Sequence, residues 1–230
     1  MKIIKILGQY WLILIGLLLP ILSLIAFLFS YSIGLLLSCL FIIIIIWIWF
    51  PLYSTEIEIR NKKYKIFKGF HFSIHLPKFF IIQQFHTFTL NQTFKFTPSC
   101  LYRFNTIDDF DVNKLFGINI GQTLEPHTNS FRFGWNCEDN NSTISIYNYE
   151  YINGHRYKHK LINVNIDIKY EYQITICNDK IIYEIFDEEG DLIIKKVTKY
   201  KLTKEYELAY YCYPYFGGNR TAPHTITLYS

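Results

Sequence analysis

From Ile6 to Thr55 the chain runs for fifty residues without one charged side chain. A water-soluble surface cannot be built from such a stretch, so this feature decides the organisation of everything around it. Two apolar runs fill it, at about 7–29 and about 33–51, with only Ser30-Tyr31-Ser32 between them. Each is close to the ~20 residues that carry a helix across a ~30 Å hydrocarbon core. Backbone groups in lipid must be bonded internally, which a helix does unaided. Pro20 falls inside the first run, where it kinks a membrane helix rather than breaking it. The first run is too long for a signal-peptide core, lacks an Ala-x-Ala-like exit, and leads straight into a second apolar run.

The flanks give an orientation. Tyr10, Trp11, Tyr31, Trp47, Trp49 and Tyr53 sit at the edges of the runs, where amphipathic rings favour the headgroup zone. Lys2 and Lys5 precede the pair of runs, Arg60, Lys62, Lys63, Lys65 and Lys68 follow it, and the turn has no basic residue. The expectation is an integral membrane hairpin over residues 1–53, with two spans and both termini on the cytoplasmic side. Apart from Cys39 the runs hold no ionisable group, so the hairpin reads as an anchor in the lipid bilayer rather than a transport path.

The remaining chain is a different material. It carries 21 of the 23 basic residues and all 19 acidic ones. Aromatics make up 19% of the whole chain, which excludes a disordered tail. A net charge of +4 is too mild to indicate a nucleic-acid partner. Residues 54–90 read as a membrane-proximal β linker. Thr55–Arg60 and Tyr64–Lys68 alternate polar and apolar around Asn61-Lys62-Lys63, the pattern of a small hairpin, with basic residues placed for anionic headgroups. Phe79–Ile82 and Phe85–Leu90 read as further strands or an aromatic flap. His71 and His75 lie four apart, but in an extended segment that separates them by ~13 Å, and no metal site is expected.

Residues 91–230 show about nine strand signals at short, regular spacing and no convincing helix. Phe131, Phe133, Trp135 and Cys137 share one face of a strand, and Ser130, Arg132, Gly134 and Asn136 the other. Ile144 and Ile146 lie opposite Tyr147, Tyr149 and Tyr151. Asn153-Gly154 then gives the strongest two-residue hairpin signal in the chain. The fold class expected is therefore an N-terminal two-helix transmembrane hairpin plus an all-β antiparallel sandwich of jelly-roll type. Cys39, Cys100, Cys137, Cys177 and Cys212 form no Cys-x-x-Cys pair, so zinc and redox chemistry find no support.

Two clusters break the strand pattern. One is His127-x-Asn129-Ser130-x-Arg132-x-Gly134-Trp135, and the other is Tyr215-Phe216-Gly217-Gly218-Asn219-x-x-Ala222-Pro223-His224. Together they resemble bacterial and phage β-sandwich domains of the concanavalin-like jelly-roll type, over about residues 115–230. The resemblance implies a fold and no activity. In residue terms, Gly217-Gly218 permits a sharp corner, Asn219 can close it, and Pro223 launches the last strand. His127, Asn129, Arg132, Tyr213, Tyr215, Asn219 and His224 are the candidate ligand-binding residues, with His127 and His224 meeting if the first and last strands pair. These same groups would otherwise staple a loop to the sheet.

Catalytic signatures are absent. There is no Gly-x-Ser-x-Gly, no phosphate loop, no zinc-hydrolase helix, and no Glu-x-Asp-x-x-Glu strand such as concanavalin-like glycosidases carry. Arg156-Tyr157-Lys158-His159-Lys160 is a basic aromatic strand that reads as a solvated face beside Glu150 and Glu171. The expectation is a membrane-anchored binding protein for a glycan or protein ligand, without a cofactor. The alternatives are a glycan-active enzyme on the same scaffold and a small membrane-active effector.

Overall fold

A computed structural model describes residues 63–121, 125–137 and 143–230, the backbone of 56–58, and Ser38. The chain divides into two compact units, Met1–Tyr53 and Ser54–Ser230. The hairpin expected over 7–29 and 33–51 lies outside the described residues. Among the residues described, no helix is long and apolar enough to cross a membrane.

The second unit is an antiparallel β-sandwich. Its strands are β1 (Glu56–Glu58), β2 (Lys63–Ile66), β3 (Phe79–Gln83), β4 (Phe88–Phe96), β5 (Asn113–Ile120), β6 (Ser130–Asn136) and β7 (Thr143–Ile152). They continue with β8 (His155–Asn165), β9 (Lys169–Ile176), β10 (Lys180–Phe186), β11 (Leu192–Lys199), β12 (Tyr206–Cys212) and β13 (Ile226–Tyr229). One sheet runs β11-β10-β9-β4-β13-β2, with β1 added to β4 in parallel, and the other runs β3-β12-β5-β6-β7-β8. Among the described residues of this unit, helical structure is limited to 3-10 turns at Pro98–Cys100 and Ile107–Phe110.

Period-two alternation builds the core. Phe88, Leu90, Phe94 and Phe96 of β4 face Phe116, Phe131, Phe133 and Trp135 of the other sheet, all within one buried cluster. The rings meet edge-on or offset, with Phe133 and Tyr183 at 5.2 Å and Phe96 and Trp135 at 5.5 Å between centroids. Each ring buries on the order of 150–250 Å², so this aromatic layer dominates the stability of the sandwich. Cys100, Cys137 and Cys212 are buried and outside any disulfide, and burial pushes Cys100 up to about 12 and Cys212 up to about 11. They behave as small hydrophobes.

The segment expected as a linker is part of the sandwich. β2 pairs with β13 and β3 with β12, so residues 63–83 form edge strands of both sheets. The small hairpin expected between 55–60 and 64–68 does not form, because β1 joins β4 and β2 joins β13 instead. The reason is burial: Tyr64 and Ile66 are 1% exposed, and Ile226 and Leu228 of β13 supply the apolar surface a free hairpin would lack. The chain ends of the unit thus meet across one sheet.

Candidate functional site

All seven residues of β6 are buried, so the strand's polar face is covered as well as its apolar one. The cover is local and traceable. Lys114 and Tyr215 exchange backbone hydrogen bonds, and Asn113 Oδ1 accepts from the Gly217 N–H at 2.7 Å while its amide donates to Tyr102. These bonds fold residues 111–112 and 215–218 over the outer surface of the six-stranded sheet. Val112, Tyr147 and Tyr149 form a small apolar cluster there.

Register places the polar groups. In one row across the strands, Cys212 pairs with Gly117, Gly117 with Arg132, Arg132 with Tyr149, and Tyr149 with Lys158. The next row reads Tyr210, Asn119, Ser130, Tyr151, Arg156, and a third reads Lys114, Gly134, Tyr147, Lys160. Gly117 clears the floor for Arg132: a Cβ on it would lie 2.6 Å from the Arg132 Cα and 2.7 Å from its Cγ. Gly217 does the same for Lys114, whose Nζ would be 2.8 Å from an added Cβ.

Cations then converge on Tyr149. The Lys114 Nζ lies 4.5 Å from its ring centroid and the Arg132 guanidinium 5.1 Å from it, with Tyr151 5.7 Å from Arg132. Arg132 is 5% exposed, its Nε carries no hydrogen bond among the described residues, and its Nη2 donates a long 3.5 Å bond to the Pro126 carbonyl. Burial, with Arg132, Arg156 and Lys158 adding repulsion and Asp111 opposing it, holds the Lys114 ammonium down at about 7. Tyr149 is raised, first by burial, and a hydrogen bond with Tyr149 raises Arg156. The face is a crowded set of positive charges framed by tyrosine rings.

The sequence-named residues divide between this face and other places. His127 stands at its rim, 5.0 Å from the Tyr151 ring and 3.5 Å from Glu125, and Arg132 is at its centre. Tyr215 borders it, 6.0 Å from the Lys114 Nζ and 40% exposed. Asn129 turns inward to the chain, accepting from the Asn153 N–H at 2.8 Å. Tyr213 stacks on His75 at 4.7 Å and donates to the Leu76 carbonyl. Asn219 and Pro223 line a separate surface cleft of about 380 Å³ beside Arg220, which pairs with Asp108 at 2.6 Å. His224 bonds the Ser99 carbonyl at 2.8 Å. It does not meet His127, because β13 pairs within the other sheet from β6. Gly218 has φ +78 and packs on Asp111, where any side chain would collide.

Lys114, Tyr149, Tyr151, Arg156 and Lys158 were not among the candidate residues of the sequence. Part of the set was readable, since Asn153 and Gly154 take positive φ and fix the β7–β8 register. That two-residue turn sets Tyr147, Tyr149 and Tyr151 opposite Lys160, Lys158 and Arg156. Among the described residues no group of three or more His, Cys, Asp or Glu is placed to hold a metal ion.

Fold and face together define the class as a two-sheet antiparallel β-sandwich with a cationic, tyrosine-lined sheet surface. No protein-family model matches the chain, and no curated protein matches it by sequence. Solved structures do align. An alginate lyase from Klebsiella pneumoniae aligns with a TM-score of 0.42 and 11% identity over 61% of this chain, which spans 56% of the lyase's length. The CBM2 module of the evolved Dit of Lactobacillus casei BL23 phage J-1 aligns over 78% of this chain and 85% of its own, with a TM-score of 0.38 and 11% identity. Toad ovary galectin, solved with thio-digalactose, aligns over 73% of this chain and 99% of its own, at 0.33 and 11%. At such identities and scores these likenesses say nothing about the ligand of this chain.

Proposed function

We propose that the protein is a membrane-tethered binding module that holds an acidic glycan on the outer face of its six-stranded sheet. One observation carries the reading. Lys114 and Arg132 both lie over the Tyr149 ring, Arg132, Arg156 and Lys158 each repel the Lys114 ammonium, and Asp111 opposes them there. Like charges gathered this closely raise the energy of the empty site, and a carboxylate or sulfate on a sugar supplies the missing partner. Tyr151 and Tyr215 give flat rings on which the apolar faces of sugar units can lie. The tether is the hairpin expected over residues 1–53, read as two spans at about 7–29 and 33–51 with both termini cytoplasmic.

The test is binding of the full chain in detergent to polygalacturonate, a sulfated polysaccharide, neutral dextran and a single-stranded oligonucleotide. The reading expects salt-sensitive binding of the acidic glycans and none of dextran. Arg156→Gln with Lys158→Gln, both exposed, should weaken it by roughly tenfold, about 1.4 kcal/mol. Affinity should also fall as pH rises through 7, where Lys114 loses its charge. Equal binding by the double variant, or preference for the oligonucleotide, would remove the proposal. Labelling of a cysteine placed at Ser230 by an impermeant reagent on intact cells would reverse the orientation.

A further inference from the structure

Between β2 and β3 the chain forms an extended comb with two unlike sides. Its odd residues are pinned. His71 stacks on Tyr215 at 5.4 Å and its Nδ1 lies 2.9 Å from the Phe216 carbonyl oxygen. The Ser73 hydroxyl donates to the Pro214 carbonyl at 3.1 Å, and His75 stacks on Tyr213 at 4.7 Å. Backbone bonds from Phe216 to His71 and from Ala222 to Phe70 fix the same segment. The even residues face outward: Phe70 is 50% exposed, Phe72 51%, Ile74 75% and Leu76 85%. Phe67 and Phe79 flank them at 46% and 39%.

Four consecutive outward positions, all large and apolar, are held there by hydrogen bonds and stacking on the inner side. At ~3.3 Å per residue the row is about 20 Å long. A solvated edge would be polar at these positions, and scattered exposed hydrophobes do not line up. Charge selects the occupant. From Ile59 to Ile107 the sequence has eight Lys and Arg and no Asp or Glu. Lys65 and Lys68 beside the comb are exposed. Aromatic and aliphatic side chains set among lysines, on a segment that itself carries no carboxylate, suit the boundary between headgroups and acyl chains of an anionic bilayer. The comb also follows the uncharged stretch by a short connection, so the chain reaches it soon after leaving that stretch.

We infer that Phe70, Phe72, Ile74 and Leu76 insert into the headgroup region of an anionic membrane, so that the sandwich itself lies on lipid. This contact is separate from the glycan face and stands whether or not that face binds a sugar. The experiment uses the full chain in nanodiscs of phosphatidylcholine and phosphatidylglycerol, with Cys39→Ser and Cys177→Ser. An environment-sensitive dye is attached at Leu76→Cys, or at Glu189→Cys in the β10–β11 turn as a control. Brominated acyl chains should quench the dye at 76 and leave the dye at 189 bright. Removing phosphatidylglycerol, or Lys65→Gln with Lys68→Gln, should weaken the quenching. Ile74→Asp should abolish it without lowering the melting temperature, since that side chain touches little protein. A dye at 76 that stays bright and solvent-like in anionic discs overturns the inference. So does a dye shielded in lipid-free detergent in a concentration-dependent way, which would assign the comb to a second copy of the chain.

Discussion

Lys114 gives the sharpest test of the cationic face, because its charge is held at a cost that pH can remove. Its ordinary value is 10.5 and in the folded chain it stands at about 7. The direction fixes the sign. Between these two values the unfolded chain binds more protons than the folded one, so stability rises with pH across that window. Below about pH 7 the folded state carries the full cost of the buried ammonium, and above about 10.5 none of it. At pH 8 the two states differ by roughly nine-tenths of a proton, a slope near 1.2 kcal/mol per pH unit. From pH 7.5 to 9 that amounts to almost 2 kcal/mol, or roughly 4–7 °C in melting temperature for a unit of this size. Relaxation of the long lysine stem toward water reduces the figure but not its sign.

The perturbation is Lys114→Met, which keeps the stem and deletes the charge. Circular dichroism melts of the full chain in detergent, from pH 6 to 10, should show two curves. The parent should climb between pH 7 and 9.5, and the variant should start higher and stay flatter, the two converging at the alkaline end. The difference curve isolates Lys114 from every other group that titrates in the range. Parallel curves would refute the reasoning, since they would mean that the ammonium is solvated and the face carries no stored repulsion.

Gly117→Ala should destabilise the sandwich by about 3 kcal/mol or more, because the new methyl meets the backbone of Arg132 on the paired strand, which cannot swing aside. A melting temperature within a degree of the parent would show that the strand pair has slack. Glu150→Gln should raise stability by about 1 kcal/mol, since the Glu150 carboxylate is 2% exposed, its Oε1 has no hydrogen bond among the described residues, and it lies against the buried phenol of Tyr183. That phenol is driven well above its ordinary value by burial and then by Glu150. Denaturant unfolding checks the second variant, and a lower midpoint would mean that the carboxylate is satisfied where it sits.

What could be read from the residues was whatever repeats within a strand or across a tight turn. Phe131, Phe133 and Trp135 alternate against Ser130, Arg132 and Gly134, and the structure keeps that division between the inner and outer faces. Asn153-Gly154 likewise fixes six paired positions between β7 and β8, up to the register shift at Ile146 and Tyr147. Long-range pairing leaves no such mark. β2 finds β13 at the far end of the chain, and β3 finds β12, through complementary buried side chains that no local pattern announces. The bulge that separates Lys114 from Phe116 also escapes a period-two reading, because one extra residue turns every following side chain to the opposite face.

The Tyr215–His224 motif shows the same limit from the other side. Its residues invite a reading as one site, and the structure sets them along a seam. Tyr215 takes the stack of His71 from the comb on one side and brackets Lys114 with two backbone bonds on the other. Gly217 leaves room for the Lys114 head, Gly218 turns against Asp111, and His224 ties the way into β13 to the Ser99 carbonyl. A seam of this kind needs unusual residues for geometric reasons alone: glycine where a Cβ would collide, a ring where two segments stack. The chemistry of the cationic face resides in neighbours the seam brings together, on strands whose own sequence carries only alternation. That is why the motif is conspicuous and the charged face is not, and why substituting Gly217 should disturb the position of Lys114 without removing a group that could touch a ligand.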